Sequence, residues 1–121
     1  MRRILVVDDE PNICWTLSAL LRRAGYEPVM ALDFGAALAV LDRTPVDAAV
    51  IDVILEQKSG IELLKEIQKR RECIPVIVIT VDPYLVDIPE TLHGGALYFL
   101  AKPVVKATLL RAVSLIFRMA A

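Results

Sequence analysis

The residue types able to do chemistry in this chain each follow a short apolar run. Asp8-Asp9-Glu10 follow Ile4-Leu5-Val6-Val7, and Asp52 follows the run from Ala48 to Ile51. Thr80 closes the run that begins at Pro75, and Lys102-Pro103 come just after the run from Ala96 to Leu100. If the runs lie side by side, carboxylates, a hydroxyl and an ammonium meet in one crevice. Crowded carboxylates repel one another and need a counter-charge at neutral pH. A hard divalent cation supplies it: Mg²⁺ prefers oxygen ligands, keeps several waters, and is usually held by one or two carboxylates plus phosphoryl oxygens. Asp9 and Asp52 suit direct ligation, and Asp8 suits holding a metal-bound water. An aspartate carboxylate is also a competent nucleophile for phosphoryl transfer through an acyl phosphate, and Asp52 is the residue placed for that role. Catalysis of such a transfer is mainly positioning and electrostatic stabilisation. Lys102 and the cation can clamp the phosphoryl group from two sides. The Thr80 hydroxyl can donate to one of its oxygens, and its place at a strand end makes it a natural sensor.

The positioning elements are legible too. The apolar runs at residues 4–7, 28–31, 48–51, 75–79 and 96–100 are short and mostly continuous in hydrophobicity, as parallel strands covered on both faces require. Between them apolar residues recur at helical spacing: Ile13, Leu17, Leu20, Leu21 and Ala24, then Ala37, Leu38 and Leu41, then Ile61, Leu64 and Ile67. Pro11 fits the first turn of the first helix and Gly25 the position just past its end. Strand–helix alternation with crossovers of this length gives a doubly wound α/β fold, whose strand C-terminal ends form the ligand crevice. Between Asp82 and Gly95 the pattern falters, because Pro89 would interrupt a helix begun at Asp82-Pro83. A short, broken or displaced fourth helix is expected there.

A chain of 121 residues that is 56% hydrophobic supports one compact domain, residues 1–121. A formal net charge of -1 argues against nucleic-acid binding. The basic clusters Arg2-Arg3, Arg22-Arg23 and Lys69-Arg70-Arg71 read as solvated element termini. Cys14 and Cys73 match no metal or redox spacing and read as reduced thiols in a cytoplasmic protein. The first apolar run is too short for a signal sequence or a membrane span. His93 has no companion ligand at metal spacing and reads as a surface residue. Trp15 lies off the apolar stripe of the first helix. Asp8-Asp9-Glu10 could simply cap the helix begun at Pro11, and for Asp8 alone both roles stay open. Capping does not cover Asp52, which ends a strand with no helical pattern for several residues.

The order Asp8-Asp9, Asp52, Thr80, Lys102-Pro103 resembles the bacterial response-regulator receiver family, the chemotaxis-regulator-like group, over the whole chain. Ile4 to Pro11, Gly60-Ile61-Glu62-Leu63-Leu64 and Gly95 to Pro103 match its pattern in type and spacing. The resemblance implies a flavodoxin-like (βα)5 fold with strand order 2-1-3-4-5. It implies that Asp52 is the phosphoacceptor, that Asp9, Asp52 and the main-chain carbonyl of Ile54 bind Mg²⁺, and that Lys102 contacts the phosphoryl group. The partner it implies is a sensor histidine kinase, whose phosphohistidine is the donor, with acetyl phosphate as a substitute. Ile13 and Thr16 would then lie near the region that meets the kinase's phosphotransfer helices. Phe99 matches the switch aromatic that turns inward when the threonine moves, and a cis Lys102-Pro103 bond would point the lysine into the crevice. Such a domain is no enzyme toward a separate substrate, since it catalyses only its own phosphorylation and dephosphorylation. A homodimer through the last helix and strand is a candidate assembly.

The chain departs from the family pattern at Glu56, where a proline is usual, at Val81, which replaces a small residue, and at Pro83 and Pro89. These departures favour the main alternative, an unphosphorylated pseudo-receiver that serves as an interaction module. A phosphatase of the haloacid dehalogenase type needs an aspartate where Ile54 stands. A flavodoxin needs a Ser/Thr/Gly phosphate loop where Asp-Asp-Glu-Pro stands. The last apolar helix, Lys106 to Met119, carries no effector domain after it, so the chain reads as a stand-alone receiver or the front of a longer regulator.

Overall fold

The computed structural model describes residues 1–53, 55, 59–70, 74–81 and 96–120. The expectations for Ile54, Glu56, Cys73, His93 and the segment 82–95 lie outside the described residues. Five strands, β1 (Arg3–Val7), β2 (Glu27–Ala31), β3 (Ala48–Asp52), β4 (Val76–Thr80) and β5 (Ala96–Ala101), form one parallel sheet in the order β2-β1-β3-β4-β5. Four described helices flank it: α1 (Pro11–Arg23), α2 (Phe34–Arg43), α3 (Gly60–Arg70) and α4 (Lys106–Ala120). This is the doubly wound, flavodoxin-like arrangement the sequence implies.

The two faces of the sheet bury different residues of the same strands, because side chains alternate along a strand. Leu5, Val7, Ile51 and Val78 pack with Ala37 and Leu41 of α2 and Leu63, Leu64 and Ile67 of α3. Ile4, Val6, Val50, Ile77 and Leu100 pack with Cys14, Leu17 and Leu21 of α1 and Leu109, Val113 and Ile116 of α4. Every residue of β3 and β4 is buried, which explains why the central runs are continuously apolar.

Local signals fix the helix ends. Pro11 occupies the first turn of α1, and Gly25 beyond its end adopts a φ of 95°, a left-handed conformation that glycine takes without steric cost. Asp33 caps α2 by accepting the Ala36 N–H at 2.7 Å, and the Ser59 hydroxyl accepts the Ile61 N–H at 3.0 Å at the start of α3. Among the described residues, no helix is long and apolar enough to cross a membrane.

Candidate functional site

Strand alternation decides which side chains meet. Val6, Val50 and Leu100 face the α1–α4 layer. Asp8, Asp52 and Lys102 each stand two residues further on and so emerge on that same side of the sheet, at its C-terminal edge. The Asp8 N–H donates to the Ala31 carbonyl at 3.2 Å, and the Lys102 N–H donates to the Thr80 carbonyl at 2.8 Å, so both residues are anchored to neighbouring strand ends. The Lys102-Pro103 peptide bond is cis.

Lys102 joins the two buried acids. Its Nζ lies 2.6 Å from Asp52 Oδ2 and 2.9 Å from Asp8 Oδ2, with only 9% of its side chain exposed. Burial disfavours the charged ammonium, but the hydrogen bond to Asp52 and the close carboxylates of Asp52 and Asp8 outweigh it and hold the Lys102 pKa above the ordinary lysine value. Asp8, Asp52 and Thr80 are buried, and Asp9 is half-buried. Asp8 serves two roles at once. Its Oδ1 accepts the Glu10 N–H at 2.9 Å, bracing the turn into α1, while Oδ2 faces Lys102. The N-cap of α1 is Glu10 and no side chain caps the helix, so the capping reading of Asp8 does not hold, while its carboxylate lies in the acidic cluster.

Carboxylate oxygens of Asp8, Asp9 and Asp52 lie within 4.8 Å of one another. Asp8 Oδ2 receives no hydrogen bond of good geometry although the ammonium is close, so this buried oxygen keeps acceptor capacity for a cation or a cation-bound water. Three anionic oxygens against one ammonium leave the cluster net negative, and an all-oxygen donor set of this kind suits a hard divalent cation.

Thr80 lies at the end of β4, paired in register with Ala101, while Phe99 pairs with Val78. Thr80 and Phe99 thus sit diagonally on adjacent strands, and Phe99 is half-buried against the α2–α3 core. Beside the crevice, Ile13, Thr16 and Leu17 of α1, with Val81, Lys102 and Pro103, line a largely apolar depression of about 480 Å³. Trp15 points away from the core and is 65% exposed.

Sequence reasoning missed the role of Gly60 as a spacer. A Cβ placed there would stand 2.1 Å from the Asp52 carbonyl oxygen, and the Gly60 N–H donates to the Val53 carbonyl at 2.7 Å. Helix α3 therefore starts in direct contact with the backbone of Asp52. A glycine opening a helical pattern was the available signal, but the contact spans two segments that local pattern does not connect. Cys14 likewise looks in the sequence like apolar filling alone, whereas its thiol donates to the Val6 carbonyl at 3.5 Å beneath the acidic pair.

Comparison with known proteins agrees with this arrangement. A family model described as the response regulator receiver domain matches residues 4–114. The transcriptional regulatory protein GlrR of Escherichia coli K12 is 34% identical over 110 residues, covering 91% of this chain and 25% of that protein. The sensory transduction protein RegX3 of Mycobacterium tuberculosis H37Rv is 34% identical over 103 residues, covering 85% of this chain and 45% of that protein. The chain thus spans a quarter to under half of the length of these relatives. Among solved structures, a CheY-like receiver domain protein from Methanospirillum hungatei superposes with a TM-score of 0.94 at 29% identity, covering 99% of this chain and 96% of that one. The response regulator TrrA of Thermotoga maritima, in complex with Mg²⁺ and BeF, gives 0.87 at 29% identity, with coverages of 96% and 99%.

Proposed function

Because this chain belongs to the response regulator receiver domain family, we propose that it accepts a phosphoryl group on Asp52 from the phosphohistidine of a sensor histidine kinase in a Mg²⁺-dependent reaction. The observation that carries this reading is the Asp52 carboxylate, buried at a strand end with an ammonium 2.6 Å away and two further carboxylates beside it. Asp9 and Asp52 would hold the cation directly and Asp8 through a water. The Ile54 carbonyl joins them only by the family resemblance. When bound, Mg²⁺ supplies positive charge to the phosphoryl oxygens. Lys102 stays with the oxygens of the reacting group and carries the remaining positive charge. The chain thereby promotes its own phosphorylation and dephosphorylation, with no separate substrate.

The readout runs through Thr80 and Phe99. A phosphoryl group on Asp52 offers the Thr80 hydroxyl a charged acceptor. Drawing that hydroxyl inward vacates space diagonal to Phe99, into which the half-buried ring turns. A switch of this kind needs two states separated by only a few kcal/mol. The kinase would approach over the apolar depression lined by Ile13 and Thr16, in the cytoplasm. Output through a further domain, as in the longer relatives, and homodimerisation through the last helix and strand belong to the same proposal.

Intact-mass measurement after incubation with acetyl phosphate and Mg²⁺ tests the reading. The wild type should gain one phosphate, and Asp52→Asn none. No gain in the wild type with donor and metal present would favour the pseudo-receiver, and a gain kept in the variant would move the acceptor elsewhere.

A further inference from the structure

The end of the sheet remote from the acidic crevice gathers arginines that the sequence scatters. Arg2, Tyr26, Ser114, Phe117 and Arg118 line a depression of about 330 Å³, and Ser114 and Arg118 also border an adjoining hollow with Arg111. Arg2 precedes β1, Tyr26 precedes β2, and the other residues lie on α4, so three separate segments build the site. The Arg2 guanidinium sits 4.1 Å from the centroid of the Phe117 ring, which in turn stacks on Tyr26 at 5.8 Å. Stacking of this kind fixes a guanidinium's position while leaving its N–H edge free to donate.

Among the described residues none of these three arginines has a carboxylate within ion-pair distance. Glu27, next to Tyr26 in sequence, is taken by Arg3 at 3.3 Å. Two permanent positive charges around one concavity and a third at the adjoining hollow, without a described acid to neutralise them, call for a ligand carrying at least two negative charges. Guanidinium forks match the geometry of phosphate oxygens, Ser114 and Tyr26 add hydroxyl groups to the lining, and the depression is of a size to receive a small molecule.

We propose that this depression is a second ligand site, separate from Asp52, which binds a compact, multiply charged phosphate compound. Inorganic pyrophosphate is the probe. The titration uses the full chain with the substitution Asp52→Asn, in EDTA, so that neither phosphorylation nor cation-bound phosphate at the crevice contributes. Backbone amide NMR shifts at Tyr26, Ser114, Phe117 and Arg118 should move and saturate, while those at Asp9 and Lys102 stay in place. Arg2→Gln and Arg118→Gln should each weaken binding about tenfold, the loss of a hydrogen bond to a charged group. Arg118→Lys should recover only part of it, since the fork and not the charge alone is used. Shifts that fail to saturate, that sodium chloride at equal ionic strength reproduces, or that Arg118→Gln leaves unchanged would reduce the cluster to ordinary solvated charge and overturn the proposal. Shifts confined to the Asp9 and Lys102 end would overturn it as well.

Discussion

Replacing Gly60 with alanine should injure both stability and the proposed phosphoryl acceptance, because the new methyl group lands on the backbone of Asp52. The added Cβ would stand 2.1 Å from the Asp52 carbonyl oxygen and 2.9 Å from both its carbonyl carbon and Val53 Cα. An ordinary contact begins near 3.4 Å, so α3 and the end of β3 must separate by about 1 Å. Neither can yield cheaply, since β3 is buried and paired on both sides. Overpacking of this kind costs about 1–3 kcal/mol, and loss of the Gly60 to Val53 hydrogen bond about 1 kcal/mol more. The better helix propensity of alanine returns about 1 kcal/mol. The net loss is roughly 1–3 kcal/mol, enough to lower the Tm of a domain this size by roughly 5–15 °C. A displacement of about 1 Å at Asp52 should also slow phosphorylation by acetyl phosphate by as much as about 100-fold. Urea denaturation and time-resolved intact mass give the two quantities. Gly35→Ala is the control, because its Cβ meets only Asp33 Oδ1 at 3.5 Å, and it should be neutral in both assays. A Gly60→Ala protein with wild-type midpoint and rate would refute the claim that α3 bears on Asp52.

Asp9→Ala should weaken Mg²⁺ binding more than Asp8→Ala does, since Asp9 is proposed to touch the cation directly and Asp8 only through a water; Trp15 fluorescence follows the titration, and equal affinities would remove the distinction. Lys102→Met should destabilise the metal-free protein by about 3 kcal/mol at pH 7, as expected when buried carboxylates lose the cation bonded to them, and urea midpoints should show most of that loss reversed by Mg²⁺. Burial holds the Cys14 thiol above its ordinary pKa of 9.0. In a Cys73→Ser background it should therefore react with a disulfide reagent only as fast as the protein unfolds. The stabilisation from keeping that thiol neutral is present below pH 9 and fades as pH rises further, so urea midpoints should fall there more steeply than in Cys14→Ala.

The fold is readable because five short apolar runs, punctuated by Pro11 and Gly25, leave little but a parallel sheet with helices on both faces. The site is readable because three carboxylates, a hydroxyl and an ammonium all fall at the ends of strands whose other residues are apolar, where solvation alone would not concentrate them. Relations between segments are not readable. That Lys102 holds Asp8 and Asp52 at once depends on the register of four strands, β1, β3, β4 and β5, and that Gly60 touches Asp52 depends on how a helix seats against one. The gathering of Arg2 with Arg118 follows from α4 running back toward the strand N-termini, a tertiary consequence that no local window contains. From its neighbours in sequence alone, Arg2-Arg3 accordingly reads as a solvated terminus.

The ammonium–carboxylate clasp also bears on when the protein becomes competent during its own folding. Lys102 and Asp52 are 50 residues apart in sequence, and Asp8 lies near the other end of the chain. Contacts between such distant positions close the largest loops, whose entropy must be lost before the contact forms. A chain that has ordered only its first three strands holds both aspartates without the lysine, in a state where the acids repel. The cluster is therefore complete only once the fifth strand has docked, and on the proposed function a nascent or partly opened chain would be a poor phosphoryl acceptor. Competence to receive a phosphoryl group would then coincide with completion of the sheet.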